Sequence, residues 1–517
     1  MAWLKSKSGE QATDRKDLLD IMVALCTERH VASAVVAAGG TTYSVGDTLT
    51  DASGTHDFVV QCEVASGGAS YVVGEVLTIS GGTASVTATA TVTKVSSGAV
   101  TEVVVLEAGA YSSNPSNSVS TTASASGTGC TLDLIFKTRH TAEFEVLTVD
   151  GGGAVLTVRV ASCGIYSADP SNPIATTVSP AGGSGCTLTL TMANGGWNIQ
   201  RSNAPSEREV ILQGTGAGSD EIYVGVRTFL SPANGYKQWE LAGFTGFDAN
   251  LAWASQAGIS PGRHESPTNG GCWIPLDDVT MDYWFAVDSN RIIMVAKIGS
   301  QYPNMYMGFL NPFSTTSEYP YPLYIAGCTS DEEFLIGTSG FGFGGLTNPI
   351  AKILTETHDG PGEVRFPGGS WRNVANREAD DDAVTNRIVM PSQDIGLVPS
   401  GADLYFDTNS VTIAEWDDFI PNTGNPGATT KKLMPTPDSG GHQYVMIPAT
   451  LAVKVPVEDR QLLGEMDGVF WYSNVADFLA NPTPVALDTI TVGSDVYRVF
   501  PNCNKTDQFN FLAIKEE

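Results

Sequence analysis

Basic residues are scarce in this 517-residue chain: 28 Lys and Arg stand against 56 Asp and Glu, a formal net charge of −28. A surface of that sign repels phosphate backbones and anionic bilayers, so neither nucleic acid nor membrane insertion is expected. No apolar run approaches the roughly 18 residues of a membrane span, and Met1 to Glu10 has no apolar core of signal-peptide length. Synthesis and retention as a soluble protein are therefore expected. The eight cysteines, at 26, 62, 130, 163, 186, 272, 328 and 503, never fall at CxxC spacing. The six histidines, His30, His56, His140, His264, His358 and His442, never pair at metal-ligand spacing. Zinc, thioredoxin-like chemistry and histidine catalysis are poorly supplied, and no metal or cofactor is expected.

Long side chains of either sign give way to small ones: charged residues are 16% while Gly numbers 55, a balance that favours an all-β protein with many turns. One phrase is written twice. Gly109-Ala110-Tyr111-Ser112-Ser113-Asn114-Pro115-Ser116-Asn117 returns as Gly164-Ile165-Tyr166-Ser167-Ala168-Asp169-Pro170-Ser171-Asn172. Each copy closes on Gly-Cys-Thr-Leu, at Gly129 and at Gly185. The tyrosines lie 55 residues apart (166 − 111) and the cysteines 56 (186 − 130). A shorter relative precedes them, with Gly39 to Thr50 echoed by Gly67 to Thr78, so four units open on a glycine, a tyrosine and a turn. Val86, Ala88, Ala90 and Val92 alternate with Thr87, Thr89, Thr91 and Thr93, the period-2 pattern of strands with one buried face.

In chain order, residues 1–37 form an N-terminal segment with a helix over 14–30, capped by Thr13 or Asp14. Its stripe of Leu18, Met22, Leu25 and Arg29, with Ile21 and Cys26 beside it, must pack on something. Leu18, Met22 and Leu25 are the candidate assembly contact; the competing reading is a cover for an open end of the first module. A first β module pair follows over 38–108 and the duplicated Gly-x-Tyr modules over 109–195. At Trp197 the texture changes, since eight of the nine tryptophans lie from there onward. Residues 196–517 read as an aromatic-rich β domain, open to division into two subdomains. The expected fold is all-β: tandem small β modules, then a larger β-sandwich or barrel-like domain, with one short N-terminal helix. Hairpins are predicted around Asp288-Ser289-Asn290 and at Gly493-Ser494. The proline-rich aromatic stretch Tyr302 to Cys328 reads as an ordered loop or sheet edge, its rings either a contact surface or core.

Strings that spell chemical motifs lack the surroundings that the chemistry needs. Gly214 to Gly218 resembles a phosphate loop, but a strand rather than a helix follows. Gly258-Ile259-Ser260-Pro261-Gly262 has the GxSxG spelling of a nucleophile elbow, yet Pro261 has no N–H to offer an oxyanion. Asp277-Asp278, Glu378 to Asp382 and Glu415-Trp416-Asp417-Asp418 supply acids near aromatics, as glycosidases do, without a rule that places two at catalytic separation. No catalytic residue is assigned, and the chain is expected not to be an enzyme.

The module phrase, Gly-x-x-Tyr then Val-Gly-Asp/Glu-x-Leu-Thr and finally Gly-x-Gly-Cys-Thr-Leu, resembles repeats of virion structural proteins of tailed bacteriophages. Ser219 to Phe229, Trp239-Glu240-Leu241, Tyr319 to Pro322 and Leu463 to Trp471 resemble a family of phage tail or baseplate-associated proteins. The resemblance touches roughly residues 38 to 192 and 197 to 515. It implies a structural component of the tail, baseplate, fibre or collar periphery, localised to the virion and assembled in the host bacterial cytoplasm. Its implied partners are other virion structural proteins and further copies in a symmetric homo-oligomer, a trimer being favoured, with a host surface glycan as an additional partner. Rivals are a head decoration protein, a tailspike-like glycan-binding or depolymerising protein, and a bacterial surface adhesin.

Overall fold

The computed structural model describes residues 1–7, 9–52, 56–138, 140–180, 182–203, 207–215, 222–230, 237–261, 272–327, 362–373, 387–389, 446–454, 460–472, 485–501 and 511–516. The protein is nearly all β, with one α-helix among the described residues. It divides into two compact units. The first comprises Met1–Thr228, Phe244–Gly258 and Val279–Ile292, and the second Phe229–Gly243, Ile259–Asp278 and Ile293–Glu517. The change of composition at Trp197 therefore falls inside the first unit.

The first unit opens with β1 (Ala2–Lys5) and α1 (Arg15–Thr27). Next come β2 (Arg29–Thr41), β3 (Thr48–Asp51), β4 (Asp57–Ala69), β5 (Val76–Ile79), β6 (Thr83–Val86), β7 (Thr89–Ser96) and β8 (Ala99–Glu107). The run continues with β9 (Ala110–Ser113), β10 (Val119–Ala123), β11 (Thr128–Thr138), β12 (Glu143–Val149), β13 (Val155–Ser162), β14 (Ile174–Ser179) and β15 (Ser184–Asn194). After these come β16 (Trp197–Asn203), β17 (Glu209–Gly214) and β18 (Ile222–Leu230).

Two six-stranded barrels emerge, one nested inside the sequence of the other. Strands β4, β11, β10, β5, β7 and β8 lie in that order in one sheet, and β2, β15, β14, β3, β12 and β13 in that order in another. Each sheet curls until its ends meet. In the inserted barrel (residues 57–138), Val59 N–H donates to Ala108 O at 2.9 Å and Tyr71 N–H to Gly98 O at 2.9 Å. In the split barrel (residues 29–51 and 142–194), Val31 N–H donates to Cys163 O at 3.0 Å and Tyr43 N–H to Gly153 O at 2.8 Å. Glycine permits the closure: a Cβ on Gly67 or Gly39 would overlap the carbonyl oxygen of Val100 or Val155 on the strand opposite.

The four glycine–tyrosine openings thus combine first with fourth and second with third. Asp51 N–H, at the end of the split barrel's first half, donates to Ala142 O at the start of its second half, 3.1 Å away. The whole inserted barrel hangs between two residues that touch. Inside it, Val59, Cys62, Leu77, Ile79, Ala90, Val92, Val103, Leu132 and Leu134 form the core, with Tyr71 and Tyr111 at its ends. Small alternating residues suffice because the interior of so narrow a barrel holds little more than one layer of side chains.

The Asp288 turn is as expected: β1 pairs with the strand Asp282–Val287, and Asp288 N–H donates to Arg291 O at 3.1 Å. In the second unit, Asn304–Phe309, Leu323–Ala326, Gly362–Arg365 and Trp371–Asn373 are neighbours in that order. A further sheet runs Arg387–Val389, Met446–Lys454, Arg460–Tyr472, Phe511–Lys515, Asp495–Pro501 and Thr489–Val492, with the last two joined through Gly493 as predicted.

Candidate functional site

The residues that the two barrels share are spent on the barrel. Tyr71 Oη accepts from Cys130 N–H at 3.1 Å, and Tyr43 Oη accepts from Cys186 N–H at 3.1 Å. Gly127 and Gly183 lie flat against those two rings, where any Cβ would collide. Tyr111 Oη accepts from Ala88 N–H at 3.0 Å, and Tyr166 Oη from Ala142 N–H at 3.1 Å. Asn117 and Asn172 accept from Leu134 and Leu190 N–H, and Thr121 and Thr176 donate to the Cys130 and Cys186 carbonyls. Each satisfies a backbone group where a strand bulges or ends. The repeated phrase is a recipe for a fold, and a ligand site must be sought where the copies differ.

They differ first in what covers them. Helix α1 runs from Arg15 to Thr27 with Asp14 as its N-cap, the side chain accepting from Lys16 and Asp17 N–H. It packs against β4, β16 and the strand Asp282–Val287. Leu18, Met22 and Leu25 are 0, 0 and 1% exposed, and Leu19, Ile21 and Cys26 are buried as well. The stripe offered by the sequence as an assembly contact is core of this chain, because the helix is enclosed on all sides rather than lying on a surface. Arg29, placed on the same stripe, instead begins β2 and pairs with Asp169 and Asn194.

Charges line this helix. Arg15 bonds both Glu207 carboxylate oxygens at 2.8 Å, Arg208 meets Asp20, and Lys137 meets Asp17. Burial pushes the Asp20 carboxyl up to about 6, against the pull of Arg208. Burial also acts on Asp17, but hydrogen bonds from Lys137 and Thr13 outweigh it and hold that carboxyl below its usual value. A second clamp is Arg201 on β16. It approaches Glu102 on β8 at 3.9 Å, bonds Glu209 at 3.0 Å, and caps the Ala249 and Leu251 carbonyls. These are supports for the inserted barrel, with every cation matched to an acid or carbonyl.

The barrels differ next in their outer walls. On the inserted barrel, the wall made by β7, β8 and β4 carries Thr93, Thr101 and Glu63, of which Thr101 and Glu63 are exposed; α1 and β16 pack elsewhere on β4 and β8. The matching positions of the split barrel, on β12, β13 and β2, are Leu147, Leu156 and Val35, exposed at 41, 55 and 63%. Leu147 and Leu156 occupy irregularities of the β12–β13 ladder and flank Thr148 and Thr157, whose hydroxyls are 2.6 Å apart. At the turns above, Val45 and Val73 are matched and both exposed. An exposed aliphatic trio on a β wall is the candidate site. Sequence reading missed it, although aligning the two copies position by position exposes the signal: aliphatic residues in one copy stand where the other has Thr or Glu.

Ser260 of the GxSxG string is fully buried, and its hydroxyl accepts from Gly243 N–H at 3.1 Å, a turn contact. Asp277 and Asp278 share Lys237. Glu378 to Asp382, Glu415 to Asp418, most of Gly214 to Gly218, Cys328 and Cys503 lie outside the described residues. In the aromatic stretch, Tyr319 is 1% exposed and donates to Arg365 O, so that ring is core. Cys26, Cys62, Cys130, Cys163, Cys186 and Cys272 are buried free thiols. His140, near the return of the chain from the inserted barrel, sits between Glu10 at 3.1 Å and the Tyr283 hydroxyl at 3.2 Å. Compared with known proteins, the sequence matches no protein family, and no characterised protein is significantly similar to it.

Proposed function

We propose that this chain is a structural component of a tailed-phage particle, at the tail, baseplate, fibre or collar periphery, working by assembly with copies of itself and with other virion proteins. The observation that carries this reading is the doubled barrel, in which the shared polar groups satisfy backbone amides and carbonyls and the unshared ones brace one barrel against α1 and β16. Side chains at the repeated positions are committed to holding shape. An acidic surface suits such a role, since like-charged chains stay soluble at high local concentration until a specific contact joins them. The sequence resemblance to phage virion repeats points the same way. The test is an antibody against residues 57–138 applied to purified particles of a phage encoding this chain. Labelling at one fixed place on the tail supports the proposal; absence of the chain from particles by mass spectrometry overturns it.

A further inference from the structure

We infer that the seam between the inserted barrel and α1, with β16 beside it, is built to part, so that the barrel leaves the helix as one body while staying joined to the split barrel by its stem. The connectivity allows it. Both connections to the inserted barrel leave the split barrel at one point, where Asp51 N–H meets Ala142 O at 3.1 Å. On either side the stem is anchored, with Ala52 N–H donating to Ala175 O at 3.0 Å and Ile165 N–H to His140 O at 2.8 Å. The strands from β4 to β11 form a sheet of their own. A body held through one point can turn about it with its own ladders intact.

The split barrel supplies the control for what the seam buries. Val60 and Gln61 on β4 are 5 and 0% exposed, yet neither belongs to the barrel's core, which takes Val59 and Cys62 from the same strand. At the matching positions of the split barrel, Ala32 and Ser33 are exposed. Helix α1 packs on β4, so Val60 and Gln61 are buried in the seam. Val60 holds it shut, and Gln61 opposes it. Both Nε2 and Oε1 of Gln61 are enclosed with no hydrogen-bonding partner among the described residues. An amide so placed gives up its water when the seam closes and regains it when the seam opens, which makes the closed seam less stable than one lined by an apolar side chain. The charged contacts add to this. Lys137 near the end of β11 meets Asp17 on α1, and Glu102 on β8 lies 3.9 Å from Arg201 on β16. Burial pushes the Glu102 carboxyl up against the pull of Arg201, so its charge is better solvated once the barrel moves away.

The test is native-state hydrogen exchange on the full chain, read by mass spectrometry. In the wild type, α1 should exchange on the order of a hundredfold faster than the β4–β11 and β2–β15 ladders, through an opening that neither ladder shares. Gln61→Met keeps the length of the side chain and removes the orphaned amide, and it should slow exchange in α1 about tenfold while leaving β2–β15 as in the wild type. Gln61→Glu puts a charge in the same place and should speed α1 at neutral pH. An α1 that exchanges at the rate of both ladders overturns the inference, because the seam then opens only in global unfolding. A β4–β11 ladder that exchanges together with α1 overturns it as well, since the barrel would be unfolding rather than moving. So does a Gln61→Met variant that slows α1 and both ladders alike, or slows none of them, because the amide then does not govern the seam.

Discussion

The inserted and split barrels are built from the same phrase, yet different elements pack against them, α1 and β16 on the first and β1 on the second. Their shared residues, Tyr71 with Gly127 and Tyr43 with Gly183, hold the same backbone in the same curve. Their unshared residues track their surroundings. Asp57 meets Asn114 and Thr138 at the base of one barrel, while the matching Arg29 meets Asp169 and Asn194 at the base of the other. The geometry is kept and the chemistry is exchanged. Duplication therefore separates two kinds of information that a single domain mixes: what the fold demands and what the neighbours demand.

The sharpest way to break the comparison is to remove the cover that only the inserted barrel has. Met22→Asp or Leu25→Asp puts an unpaired carboxylate where the native side chain is 0 or 1% exposed. A loss of about 4 kcal/mol or more is expected from the buried charge and the lost packing. Urea denaturation checks it, and a normal midpoint would show that α1 is dispensable cover.

Next in size is a pair that should act alike in both barrels. Gly127→Ala and Gly183→Ala each force a methyl group into a tyrosine ring, at about 3 kcal/mol apiece. Unequal losses, read from unfolding curves, would mean that the barrels are less equivalent than their hydrogen bonds.

The α1 layer also has a pH signature. Asp20 has its folded-state value raised from 3.8 to about 6. A raised carboxyl favours folding below the unfolded value, and that contribution is lost as pH climbs from about 4 to about 6, on the order of 3 kcal/mol across the window. Asp17 and Glu10, held low, act with the opposite sign, and their contribution fades on acidification. The informative quantity is the difference between wild type and Asp20→Asn, which should change between pH 4 and 6 and stay flat above. A difference that is flat throughout would place the titration elsewhere.

The smallest expected effect distinguishes the two tyrosines of the long repeat. Tyr111→Phe removes a hydroxyl that accepts from one backbone amide, at about 1 kcal/mol. Tyr166→Phe also strips Asp51 of the hydroxyl that donates to it at 2.8 Å, where the inserted barrel has Ile79, so roughly 2 kcal/mol is expected. Thermal unfolding of the two variants side by side gives the ranking.

Much of this protein was legible in its residues. Period-2 alternation in Val86 to Thr93 identified strands, Thr13 or Asp14 marked the start of the helix (Asp14 is the cap), and the Asp288 and Gly493 turns identified hairpins, because each of these is decided by neighbours within a few positions. The repeats announced themselves for the same reason: a tyrosine whose hydroxyl must meet one amide needs its glycine platform at a set place in the chain. Pairing partners were decided only by the tertiary structure. Nothing local in Gly39 to Thr50 says that it closes with Gly164 to Leu190 across an entire inserted barrel, since that choice depends on which strand edges meet when both sheets curl. Burial was decided there too. The Leu18, Met22, Leu25 stripe and the Leu147, Leu156, Val35 trio are equally apolar as text, and only the packing of α1 against β4 and β16, with the outward faces at Leu147, Leu156 and Val35 left exposed, makes the first a core and the second a surface.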